Sequence, residues 1–409
     1  MHEEDLIPHL FRTEYRKIVS VLCALFGIEH IEIAEDIVSD SFLAATELWM
    51  LRGVPENPTA WLYTVAKNKT RNYLKRNNLF EQKIAQRIRY STVEAEEMEI
   101  DLSPKNMYDS QLAMLFAICS PSLAAEAQIA LALNILCGFG AQEIADAFLT
   151  SKEVMYKRLQ RAKEKLKTAG IRVEQPLPAV MDERLDNVLT ALYLLFNEGY
   201  YSTSGEALLR NELCEEAMRL LLLLDGNAAT AKPAVKALLA LMYFHSSRFA
   251  ARVDARGDIV LYEDQDSSLW DHSLIAKGIE YLNNAATGSE LSRYHLEAAI
   301  AYWHTQQADS MEKWENILQL YNQLLQVTYS PMAALNRTFA LAKANGKEEA
   351  IIEAEKLCLT DNPFYFSLLG HLYTGKDNKK ALQFFQQALL LSKTNRDRTT
   401  INRAIERLC

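Results

Sequence analysis

The chain has 409 residues, with 44 basic and 53 acidic side chains, a formal net charge of −9, and 49% apolar against 24% charged residues. That length allows two or three domains with real cores, and the balance is that of an ordinary soluble globular protein. Fourteen glycines and ten prolines are too few for a hairpin-rich β protein, six cysteines show no paired spacing, and no apolar run reaches the roughly 18 residues of a membrane span, which sets aside a disulfide scaffold and a membrane protein in favour of a reduced, cytoplasmic one.

The opening stretch, "MHEEDLIPHLFRTEYRK", has no apolar core of signal-peptide length. Helical periodicity then dominates, which predicts an all-α fold. Over 32–50 two adjoining apolar stripes face away from Glu32, Glu35, Asp36, Asp40 and Glu47. That acidic half-face suits a basic partner protein, or is simply solvated. Next, Asn57 reads as an N-cap with Pro58 at the first helical position. In that helix Leu62, Ala66, Thr70 and Tyr73 form one stripe. Lys67, Lys69, Arg71, Lys75 and Arg76 mingle with Asn68, Asn72, Trp61, Tyr63 and Tyr73. Cations beside amides and rings suit unpaired bases, although Trp61 fits a core position better.

Residues 91–109 are acidic, weakly periodic and contain Ser-Pro, and read as a linker. Helical pattern resumes over 111–167 in four short pieces. The last, Lys152 to Lys167, has seven basic residues against two acidic ones. Local charge governs phosphate binding, so the negative total does not exclude nucleic acid. Thr150 with Glu153 reads as a capping box, and Met155, Leu159, Ala162 and Leu166 as the apolar stripe. Lys157, Arg161 and Lys165 fall on the other side, with Arg158 beside them. After the short helix around Ile144, Ala145 and Phe148, this is helix-turn-helix organisation. The first residues of the second helix, Ser151, Lys152, Glu153 and Tyr156, would approach base edges in a major groove, and the later cations would hold phosphates. A solvated basic surface helix is the other reading.

From about 180 onward the chain is a train of helices with short breaks. "PFYFSLLGHLYTGKDNKKALQFFQQALLLS" places Leu369, Gly370, Tyr373, Ala381, Phe385 and Ala388 in the small/large alternation of a tetratricopeptide unit. "SPMAALNRTFALAKANGKEEAIIEAEKLCL" is a looser copy, and a plain helical bundle is the alternative. The eight histidines have no metal spacing, and neither a phosphate loop nor a nucleophile elbow occurs. No enzyme activity, catalytic residue, metal or cofactor is therefore expected. "EDQD", Glu263 to Asp266, reads as helix-capping carboxylates in preference to a cation site.

Taken in order, "AEDIVSDSFLAATELW", "NPTAWLYTVAKNKTRNYLKRN" and "EIADAFLTSKEVMYKRLQRAKEKLK" resemble a bacterial RNA polymerase sigma factor of the extracytoplasmic-function class, over residues 6 to about 170. "MDERLDNVLTALYLLFNEGYYSTSGE" and "LYEDQDSSLWD" resemble the subgroup with a long tetratricopeptide-like C-terminal extension. The resemblance implies sigma region 2 at 1–90, an acidic linker at 91–109, a region 4 helix-turn-helix at 110–172 and a helical extension at 180–409. It places Glu35, Asp36 and Asp40 on the helix that docks on the polymerase clamp, with Phe42 on its adjacent apolar side. Lys67, Asn68, Arg71, Asn72, Lys75 and Arg76 match the part that engages and melts the −10 element. Ser151 to Arg161 match the helix that reads the −35 element. The family often has an acidic residue where Asn72 stands and Gly, Ser and Thr where this chain has "TSKEVMY", so base preference does not carry over. Core RNA polymerase and promoter DNA are the implied partners, with control by the extension through intramolecular docking or another protein. A helix-turn-helix regulator with a solenoid sensor, and a tetratricopeptide adaptor, are the alternatives.

Overall fold

The computed structural model describes residues 3–77, 100–148, 150–201, 207–252, 260, 262–288, 290–392 and 395–408. All regular structure among them is helical, and the chain is all-α. It divides into two compact units, Met1–Thr230 and Ala231–Cys409.

In the first unit α1 (Glu3–Phe26) packs against α2 (Ile31–Arg52), α3 (Pro58–Asn77) and α4 (Pro104–Ile118). Ile18, Val19, Leu22 and Cys23 of α1 are therefore buried from several sides. The Cys23 thiol is pushed well up by that burial. Helix α4 begins inside the stretch expected as linker. Ser103 caps it through Asn106 N at 3.3 Å, Pro104 opens it, and Ile100 and Leu102 are already buried. Residues 91–99 of that stretch lie outside the described residues.

Ser110 to Ile118 of α4 are buried without a break, the mark of a helix covered all round. Beyond it come α5 (Ala125–Leu131), a π-helical turn Ala132–Cys137, α6 (Ala141–Ala147) and α7 (Lys152–Thr168). Gly138 ends the π-helical turn at φ 87°, a left-handed position that favours glycine.

Helices α8 (Pro178–Tyr201) and α9 (Ala207–Asp225) belong to this first unit, so its boundary lies after Thr230 and not near 180. The reason is visible at three junctions. Asn187 Nδ2 donates to the Cys119 carbonyl at the end of α4. Arg219 Nη2 donates to the Leu136 carbonyl at 2.8 Å, and the Tyr108 hydroxyl donates to the Leu223 carbonyl. The first two supply donors to carbonyls that helix ends leave without partners.

The second unit holds α10 (Pro233–Ser246), α11 (His272–Ala285), α12 (Arg293–Thr305), α13 (Met311–Val327), α14 (Pro331–Asn345), α15 (Lys347–Leu357), α16 (Pro363–Tyr373), α17 (Asn378–Leu391) and α18 (Asn395–Glu406). From α10 on, each helix packs on its sequence neighbour. One device recurs. A Cβ on Gly278 of α11 would stand 2.6 Å from the Phe244 ring of α10, and one on Gly370 of α16 would stand 2.6 Å from the Phe385 ring of α17. Glycine is thus what lets each phenyl ring lie on the facing backbone. Leu369, Tyr373, Ala381 and Ala388 are buried around the second contact.

Candidate nucleic-acid interface

The basic side of α3 is built by its opposite side. Asn57 Oδ1 accepts from Ala60 N at 3.0 Å, and Pro58 starts the helix. Leu62, Ala66 and Thr70 are fully buried, and Leu74, where Tyr73 was expected, completes the stripe. The Thr70 hydroxyl donates to the Ala66 carbonyl at 2.7 Å, so no polar atom is stranded there. Asn68, Asn72 and Lys75 stand exposed, while Lys67, Lys69 and Arg71 are half-buried. Lys69 Nζ lies 3.7 Å from Asp40 Oδ2, and Arg71 Nε is buried without a hydrogen-bond partner. The Arg76 side chain lies outside the described residues. The aromatics turn inward: Trp61 meets Trp49 edge-on at 5.4 Å and Tyr73 meets Phe26 at 6.1 Å. The Tyr63 hydroxyl donates to Glu14, and burial with that carboxylate pushes the phenol well up. Cations and amides, without rings, form the outward set.

On α7 the cap is Ser151, one residue later than expected, its Oγ accepting from Val154 N at 3.3 Å. Thr150 instead donates its N–H to the Ala145 carbonyl at the end of α6. The Glu153 carboxyl is held below its usual range by its own N–H and the Ser151 hydroxyl. Met155, Leu159, Ala162 and Leu166 are buried as the stripe expected of them. Lys152, Glu153, Tyr156, Lys157, Arg161 and Lys165 are exposed. Arg158 Nη1 instead lies 3.2 Å from Glu126 Oε2 of α5 and ties α7 into its own domain. Val154, about half exposed between Lys152 and Tyr156, was not singled out in the sequence; its apolar surface in the first turn is suited to a thymine methyl.

On α2 the expected polymerase set divides. Asp36 and Asp40 are exposed. Glu35 is inward and accepts from Arg16 at 3.1 Å and Lys163 at 3.4 Å. Phe42 is only 4% exposed and meets Phe11 edge-on at 5.2 Å, so it is a core residue and offers no docking surface. The apolar side chains that do stand out are Leu43, Met50 and Leu51, at 57%, 83% and 82% exposure. At 3.6 residues per turn, Glu32, Asp36, Asp40, Leu43, Glu47, Met50 and Leu51 share one stripe. It is acidic at its start and apolar at its end.

In the second unit Asp266 caps a single helical turn through Ser268 N at 2.9 Å, while Glu263 and Asp264 pair with Lys343 and Arg407. Among the described residues no acidic, His and Cys side chains gather as a metal site, and no helix is long and apolar enough to cross a membrane.

Residues 10–79 match sigma-70 region 2, from α1 to the end of α3. Residues 184–286, from α8 through α11, match a family of unknown function, DUF6596. No solved structure matches the chain. An uncharacterized protein of Rhizobium meliloti (strain 1021) is 35% identical over 348 residues, covering 84% of this chain and 82% of that protein. The chain belongs to one family with that Rhizobium meliloti protein, and its sigma-70 region 2 supports an RNA polymerase sigma factor, with core polymerase as the implied partner.

Proposed function

We propose that the chain is a promoter-specificity factor of the extracytoplasmic-function class: α2 docks on core RNA polymerase, α3 engages the −10 element, and α6–α7 read the −35 element as a helix-turn-helix. The observation that carries this reading is α7, whose buried stripe turns Lys152, Lys157, Arg161 and Lys165 outward behind a sigma-70 region 2, in a chain that is acidic overall. The exposed Asn68, Asn72 and Lys75 on α3 supply amides for base edges and a cation for phosphate, and binding energy for exposed bases offsets unpairing, so no chemistry is asked of this chain. The acidic-to-apolar stripe of α2 fits a basic, partly apolar partner. The helices after Thr230, with their repeated glycine–phenyl contacts, read as a tetratricopeptide-like control module with a surface for a partner. The test is reconstitution: co-purification with core polymerase, then transcription from a promoter mapped after overexpression. Binding without promoter-specific initiation would leave a helix-turn-helix regulator; neither would leave an adaptor.

A further inference from the structure

The second unit holds a cavity of about 390 Å³ among α16, α17, α18 and the helical turn Tyr262–Asp264. At about 30 Å³ for each water-sized group, it has room for about a dozen non-hydrogen atoms, the size of one leucine or phenylalanine. Val260, Phe385, Ala404 and Leu408 give it an apolar wall. The Phe385 ring is fixed there, because it lies on the Gly370 backbone and meets the His371 ring edge-on at 5.0 Å. Arg403 and Arg407, one helical turn apart, bring cations to the lining, and Glu263 and Asp264 bring carboxylates.

The charges do not have equal duties. The turn that carries both carboxylates is anchored by its first two residues. The Tyr262 hydroxyl donates to the His304 carbonyl at 3.0 Å and accepts from Lys313 Nζ at 2.7 Å, and Glu263 pairs with Lys343 of α14. Asp264 is thus positioned without help from Arg407, whose Nη2 lies 3.5 Å from Asp264 Oδ2, with the two side chains 69% and 48% exposed for Arg407 and Asp264. An open ion pair of that length contributes little to the fold and exchanges partners readily. It leaves a carboxylate and a guanidinium side by side, next to an apolar wall.

That pair selects the ligand. A dianion such as a phosphate is repelled by Glu263 and Asp264, an ammonium alone is repelled by Arg403 and Arg407, and an uncharged apolar molecule leaves the pair unused. An ammonium and a carboxylate on one carbon are about 2.5 Å apart from nitrogen to carboxyl carbon, by ordinary N–Cα and Cα–C geometry. They can enter between Asp264 and Arg407 with each charge against its opposite, so none is left unpaired. The guanidinium fork suits a carboxylate through two N–H donors. We propose that this cavity binds a free α-amino acid with an apolar side chain: Asp264 takes the ammonium, Arg407 the carboxylate, and Val260, Phe385 and Leu408 the side chain. The site does not rest on the sigma reading, and it gives the control module of that reading a small-molecule signal.

The test is calorimetric titration of the full chain with leucine, phenylalanine, phenylalaninamide and N-acetylphenylalanine. Leucine or phenylalanine should bind saturably with Kd below about 1 mM, and the amide and the N-acetyl compound, each lacking one charge, at least about tenfold more weakly than phenylalanine. Asp264→Asn should weaken phenylalanine at least about fivefold and leave N-acetylphenylalanine unmoved, and Arg407→Gln should weaken phenylalanine and leave the amide unmoved. Both changes are at exposed positions, and the charge-blocked ligands decide the matter on the unaltered chain as well. No heat of binding from leucine or phenylalanine up to about 10 mM, about ten times that Kd limit, would overturn the proposal. So would equal affinity for either blocked compound, or phenylalanine binding that neither substitution changes.

Discussion

Lys157 and Arg161 are exposed on α7 and have no structural duty that their loss would expose, because Met155, Leu159, Ala162 and Leu166 hold the helix from the other side. Lys157→Glu with Arg161→Glu should therefore abolish promoter-directed transcription while moving unfolding free energy by no more than about 0.5 kcal/mol, as surface changes do. The slope of log affinity against log salt should shrink by about 2, read by titrating a promoter fragment at several salt concentrations. A second residue-scale expectation concerns His304. Its Nδ1 is buried without a hydrogen-bond partner, and its ring meets Tyr262 and Trp314 edge-on. Burial, then the Arg248 and Lys313 cations, lower it to about 3. Its ordinary value is near 6.5, so between 6.5 and 3 the unfolded chain binds the proton and the folded one does not. Stability is then complete above about 6.5 and falls on acidification, by at most about 1.4 kcal/mol per pH unit from this group. His245 and His371, lowered mainly by loss of solvent around the ring, act with the same sign. Melting of the 231–409 fragment between pH 7 and 5 should show the loss, and His304→Phe should flatten it.

At the scale of elements, α2 separates two kinds of apolar residue that look alike in sequence. Phe42 lies against Phe11 and Tyr15, whereas Leu43, one position on, is exposed. Phe42→Ala should cost about 3–5 kcal/mol of unfolding free energy, seen in denaturant melts. Leu43→Asp with Met50→Asp should leave stability nearly unchanged and weaken core polymerase binding at least tenfold in a pull-down titration, as should Asp36→Arg with Asp40→Arg. Intact polymerase affinity in both double variants would show the stripe to be merely solvated. The same separation explains α3: Leu62, Ala66 and Thr70 of its stripe were readable from period 3.6, with Leu74 and not the expected Tyr73 completing it, but whether Trp61, Tyr63 and Tyr73 face bases or protein was settled by partners far away in sequence, Trp49, Glu14 and Phe26.

For the whole molecule, the cut that respects packing is after Thr230. A chain ending at 178 loses α8 and α9, which cover α4 and supply the donors for the Cys119 and Leu136 carbonyls. That variant should be aggregated or loosely packed, while residues 1–230 and residues 231–409 should each melt cooperatively on their own, measured by circular dichroism after separate expression. Transcription by 1–230 at matched protein levels should differ from that of the full chain if the second unit controls the first; equal output in every growth condition tried would count against control.

Local interactions made much of this legible. Helix periods, the Asn57 cap with Pro58, and the α7 stripe depend on residues three or four apart, and the chain alone determined them. Charge partition was legible too, since Lys152 to Lys167 is basic in any fold. The Thr150 cap failed because two neighbouring hydroxyl residues compete, and the turn after α6 takes the Thr150 N–H for Ala145. Everything that pairs distant segments needed the tertiary structure: Glu35 drawn inward by Arg16 and Lys163, Phe42 packed while Leu43 is bare, Arg158 held by Glu126, and α8–α9 joined to the first unit. Periodicity says which side of a helix is buried, but not what buries it, and the meaning of a charged or aromatic side chain depends on that second fact.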